Sequence, residues 1–127
     1  MSLRAISQEL PTVPLIGPKA ITTTTNGTAL DLSATDADMI VFNPGVWTDG
    51  THTLSLQDSP DNATWTNVTT ANQVGTLTPI TSSATAVVQQ VSYIGPARYL
   101  RPVVTVSGAT TGVVLDVFAI VKHKKQP

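Results

Sequence analysis

Residues able to move a proton, attack a carbonyl or hold a metal ion are few in this chain of 127 residues: two histidines, eight carboxylates and no cysteine. His52 and Asp58 bracket an alternating run and would share one face of a strand. At roughly 3.3 Å per residue they stand about 20 Å apart, too far to share a proton or a metal ion. His123 falls among Lys122, Lys124 and Lys125. Both histidines read as solvent-facing polar residues on strand ends and loops. The densest oxygen-ligand groups are Asp36 with Asp38, and Asp58 with Asp61 and Asn62. A calcium loop needs alternating carboxylates, a glycine at the bend and a bidentate acid to close it, and neither group completes that set. Turn and capping roles fit them better, because Asp and Asn side chains bond their own backbone. The absence of cysteine removes thiol catalysis, disulfides and thiolate metal sites. No glycine-rich phosphate loop occurs, and the sequons at Asn26, Asn62 and Asn67 are what a threonine-rich chain contains by chance. The expectation is a protein without catalysis, metal or cofactor.

Residues suited to recognition are easier to find. The run Arg98-Tyr99-Leu100-Arg101 combines the residue types enriched at protein interfaces, and an arginine fork can grip a carboxylate or carbonyl across a contact. The plainer reading is an arginine paired with Asp116 on an adjacent strand. Trp47 and Trp65 sit beside turns and are expected in the core; exposed, either would serve as a sugar-stacking platform or an interface anchor. Pro11, Pro14 and Pro18 mark residues 1–18 as an extended arm capable of edge pairing at most, packed on its own domain or on a neighbour. The candidate interface set is therefore Trp47, Trp65, Arg98, Tyr99, Arg101, Pro11 and Pro14.

Composition narrows the partners. Only 12% of residues are charged against 41% hydrophobic, and the net charge is −1. That is half the usual charge content of a soluble domain, with threonine and serine in its place. A near-neutral balance argues against nucleic acid and anionic membranes, which select basic stripes. No apolar run of membrane-spanning length occurs. Met1–Ile6 lacks an apolar signal core, so no classical secretion signal is expected. Low charge fits a surface meant to be covered, because charge is depleted at interface cores.

The elements that must position these residues read as strands throughout. Threonine, valine and isoleucine favour the pleated conformation, and their runs are punctuated by Gly, Pro, Asn and Asp. Asn26-Gly27 suggests a type I′ hairpin between 20–25 and 28–32. Residues 38–43 read as a strand buried on both faces and ended by Asn43-Pro44-Gly45. In 52–58, Leu54 and Leu56 alternate with Thr53, Ser55 and Gln57, one face dry and one wet. Further strands are expected at 63–68, with Trp65 at its centre, and at 85–94, 98–107 and 113–122. About eight antiparallel strands without helices define an all-β chain, a single β-sandwich or jelly roll. The expected domain runs over 19–122, between the arm and a basic tail of 123–127.

Two resemblances follow from the motifs. Residues 54–68, Leu-Ser-Leu-Gln-Asp-Ser-Pro-Asp-Asn-Ala-Thr-Trp-Thr-Asn-Val, with Gly95-Pro96-Ala97-Arg98-Tyr99-Leu100-Arg101 some thirty residues on, resemble the pattern of discoidin-like (F5/8 type C) jelly-roll domains. The same motifs, with Tyr93-Ile94-Gly95 before the second and a strand near the C-terminus, resemble small virion proteins of tailed bacteriophages, of the head decoration or cement kind, over about residues 38–121. The first resemblance implies a sugar- or lipid-binding module, a class whose members are longer and often disulfide-closed. The second implies a virion protein that binds the major capsid protein in many copies and stabilises the assembled head; edge strands not blocked by Lys or Pro add the expectation of a homo-oligomer such as a trimer. Glycan or receptor binding, or a head–tail or tail role, is the alternative.

Overall fold

The computed structural model describes residues 12–33 and 35–123. Ten strands run in chain order: β1 (Thr12–Ile21), β2 (Thr25–Asn26), β3 (Leu30–Asp31), β4 (Thr35–Trp47), β5 (Thr51–Ser59), β6 (Thr66–Asn67), β7 (Gln73–Val74), β8 (Gln89–Tyr93), β9 (Tyr99–Ser107) and β10 (Val113–His123). They form two antiparallel sheets, one ordered β1-β10-β4-β8-β7 and the other β2-β9-β5-β6, with β3 also on β9. The chain is all-β, as expected.

Nested pairings explain the order. β1 pairs β10, β2 and β3 pair β9, β4 pairs β8, and β5 pairs β6. One long double-stranded ribbon thus runs from the β5–β6 turn back to the two outermost strands. Rolling it up places β10 beside β4 and β9 beside β5. That winding is a jelly roll, in which two Greek keys share one core.

The core follows from period-two alternation. Along β10, Val113, Leu115, Val117, Ala119 and Val121 are buried, while Asp116, Phe118 and Ile120 are only partly covered on the other face. Ile40 and Phe42 of β4, Leu54 and Leu56 of β5, and Leu100 and Val104 of β9 meet them. Val41 is also covered, paired across to Phe118 on the outer face, so 40–42 are buried on both faces as predicted.

Several expected boundaries move. β4 continues past Pro44 to Trp47, because the pairs Val113–Trp47 and Leu115–Pro44 leave one extra residue on β4, and a bulge accommodates a proline that a regular ladder would not. The Asn26-Gly27 hairpin does not form: β2 and β3 each pair β9 rather than each other. Gly27 is there for close approach. Its N–H bonds the Pro102 carbonyl at 2.8 Å, and a Cβ would lie 2.5 Å from the Pro102 ring.

From Thr12 onward the arm is edge strand β1 of the domain's own sheet. Two register shifts each add a residue to β1, and Leu15 and Ile16, though adjacent, are both buried. Pro11, the remainder of the arm and residues 124–127 lie outside the described residues. His123, assigned to the tail, ends β10 opposite Thr35. Asp36 and Asp38 sit within β4 rather than in a turn. The 63–68 strand shrinks to Thr66–Asn67, and the 85–94 strand begins only at Gln89, because the Thr85 hydroxyl accepts the N–H groups of Thr81 and Ser82 in a turn.

Candidate interaction surface

Strand β9 carries the recognition residues. Leu100 and Val104 point inward, which sends Tyr99 and Arg101 to the outer face of the sheet. The in-register pair Arg101–Gln57 lets the guanidinium donate from Nε and Nη2 to the Gln57 Oε1 at 3.1 and 2.7 Å. Gln57 in turn donates to Asn67 at 3.1 Å. Trp65, held beside β6, lies over the Arg101 guanidinium at 4.2 Å, a cation–π distance. Among the described residues no carboxylate pairs with Arg101.

Arg98 is fixed differently. Its Nε and Nη2 donate to both Asp31 oxygens at 3.1 Å, a bidentate pair, and its guanidinium lies 5.0 Å from the Tyr99 ring. The Arg98 fork, with the Ser33 N–H, holds the Asp31 carboxyl well below the ordinary carboxylate range. Side-chain exposures of 53% and 44% leave this pair accessible and of little weight for stability.

The same end of the sandwich is stiffened from beneath. The Tyr93 hydroxyl donates to Asp58 at 2.7 Å and accepts the Ala97 N–H at 3.1 Å. Burial first, and then that bond to Asp58, pushes the phenol up to about 12. Asp61 accepts the N–H groups of Thr64 and Ala63 and the Ser59 hydroxyl, which closes the turn before Trp65 and lowers its carboxyl. Capping is thus what Asp61 does.

Not all predicted residues join this patch. Trp47 packs against the core, and its indole N–H donates to the Gly50 carbonyl at 3.0 Å. Pro14 lies on the other sheet, beside Phe118, in a groove of about 350 Å³ that Thr12 and Asp116 also line. Asp116 is on that sheet too, so the Arg–Asp116 pairing is corrected to Arg98–Asp31. Asp31 and Gln57 were missed because only the strand register discloses them. The register to look for was that between the β5 and β9 runs, which places Gln57 opposite Arg101.

His52 is a second correction. It is fully buried beside Leu54 rather than solvent-facing, with Nε2 3.0 Å from the Asp49 carbonyl and Nδ1 without a partner. Among the described residues no three histidine or carboxylate side chains gather as a metal site, and no helix is long and apolar enough to cross a membrane.

No protein-family profile matches the chain. Nor does any curated protein match it.

Proposed function

We propose that this protein is a non-enzymatic virion component of a tailed phage, a decoration or cement protein that binds the assembled head lattice. The carrying observation is the face on which Trp65, Arg98, Tyr99 and Arg101 converge, with the Arg101 charge unmatched by any carboxylate among the described residues. Tryptophan, tyrosine and arginine are the residues that dominate binding energy at protein interfaces, and an arginine already stacked and hydrogen-bonded loses little freedom on docking. A partner surface that offers Arg101 a carboxylate or backbone carbonyls suits this face. The partner in this reading is the major capsid protein, met in many copies, and binding only to the assembled lattice stabilises the shell by mass action. The chain acts there as a homo-oligomer, of which a trimer is one form.

Co-sedimentation of purified protein with heads lacking it is the test. Binding should saturate at many copies per particle and raise the temperature at which shells break. Arg101→Glu should weaken it about tenfold or more. Absence of binding, with unchanged shell stability, rejects the reading; a dozen or fewer copies per particle favours a connector or tail role instead. Light scattering on the free protein reads its oligomeric state.

A further inference from the structure

Strand β5 is paired with β9 from Thr51 to Ser59 without a register shift. Its other edge is bonded only near its two ends. Toward the C-terminal end Gln57 and Asp58 pair β6, and the Val68 N–H donates to Leu56 at 3.0 Å. Toward the N-terminal end His52 exchanges both backbone bonds with Ile80, at 2.9 and 2.8 Å. Backbone groups alternate sides along a strand, so the N–H and C=O of Leu54 face the same edge as those of His52 and Leu56. Among the described residues nothing bonds either group there. This stretch of the edge opens into a groove of about 280 Å³, lined by Asn67, Val68, Gln73, Thr76 and Leu77 as well as Leu54.

We propose that this break in the β5 edge is a binding site for one neutral pyranose ring. Three features select that class. No charged side chain lines the groove, which disfavours anions and metal ions. The chain's own Val68 and Ile80 block both ends, and one free ladder position of about 7 Å is too short for an extended peptide. The Leu54 N–H and C=O point the same way, whereas those of a trans secondary amide point oppositely, so a peptide amide satisfies only one of them. Two neighbouring hydroxyls of a sugar satisfy both, one accepting from the N–H and the other donating to the C=O. Asn67 uses Oδ1 for Gln57 and keeps Nδ2 as a donor, while Gln73 uses Nε2 for the Gly75 carbonyl and keeps Oε1 as an acceptor. Val68 and Leu77 supply apolar contact for the C–H face of the ring. The site adjoins the Arg101 patch through Asn67, which accepts from Gln57, but it opens on the β5 edge and neither reading depends on the other.

The experiment is a two-dimensional amide NMR titration of the whole chain with methyl α-D-glucopyranoside, methyl α-D-mannopyranoside and methyl α-D-galactopyranoside. Tetrahydropyran serves as the hydroxyl-free control. At least one glycoside should give saturable shifts concentrated at the Leu54, Asn67, Thr76 and Leu77 amides, and tetrahydropyran should give none. Thr76→Trp, at an exposed position, should fill the groove and weaken binding at least tenfold, while Gln73→Ala should weaken it several-fold; unchanged spectra elsewhere confirm both folds. The proposal fails if no glycoside gives saturable shifts, if the shifts fall instead around Trp65 and Arg101, if tetrahydropyran binds equally, or if both variants bind as the parent does.

Discussion

Asp49 takes the N–H groups of Thr110, Thr111 and Gly112, the last at 2.6 Å, and so ties the turn between β4 and β5 to the loop between β9 and β10. Those bonds, led by the one from Gly112, lower its carboxyl, as Arg98 lowers Asp31 and Thr64 lowers Asp61. A carboxylate depressed in the folded state contributes stability above its unfolded value, near 4, and that contribution is lost as pH falls. The denaturant midpoint should therefore be flat above about pH 5 and drop steadily below about pH 4. Asp49→Ala should lower the plateau and reduce the acid slope. His52 makes a sharper case. Its Nε2–H donates to the Asp49 carbonyl, so Nδ1 is a buried acceptor with nothing to accept. His52→Leu removes that orphan along with one hydrogen bond and should fall within about 1 kcal/mol of the parent. His52→Ala leaves a cavity and should cost about 2–4 kcal/mol, read by urea denaturation. If the leucine variant were as damaged as the alanine one, the imidazole would hold more than shape.

Among the elements, what could be read from the sequence divides by the range of the forces involved. β10 was legible because it alternates from Val113 to Lys122 against one core, and β5 because Thr51 to Gln57 alternate in the same way. β9 was legible from its run of branched and apolar residues, although Pro102, Val103 and Val104 are all buried. The strand through Pro44 was not, since a bulge is a property of two strands and only one was in view. Asn26-Gly27 carried a true local preference for a hairpin, and β9 outcompeted it by offering a partner to both flanking segments. Tertiary pairing likewise hid half the candidate surface: Arg98 and Tyr99 were visible as residue types, but Asp31 lies 67 positions from Arg98 and Gln57 lies 44 from Arg101. Gly27 tests this account, because a hairpin glycine and a packing glycine tolerate different changes. Gly27→Ala should cost roughly 1–3 kcal/mol through the clash with Pro102. Replacing Pro102 by alanine in the same chain should recover part of that loss. A hairpin requirement for positive φ would leave the second change without effect, and Gly27 is not among the positive-φ glycines.

For the molecule as a whole, the ribbon winding makes the most distant segments neighbours. β10 lies between β1 and β4 and lends five buried residues to the core. A chain cut before Val113 should lose the cooperative unfolding transition and dispersed amide spectrum altogether, rather than unfold at a lower midpoint. The intact chain should refold in milliseconds to seconds, the range of all-β folds dominated by long-range pairing. The position of β10 also orders events during synthesis. Because this strand emerges from the ribosome after all the other described strands, β4 can pair β8 beforehand, but β1 and β4 each wait with the edge that β10 will cover left open. The nascent polypeptide therefore carries open strand edges until β10 itself has been made. Cells that make it in quantity face their aggregation hazard on the polysome, and chaperone demand should follow the rate of translation more closely than the stability of the finished protein.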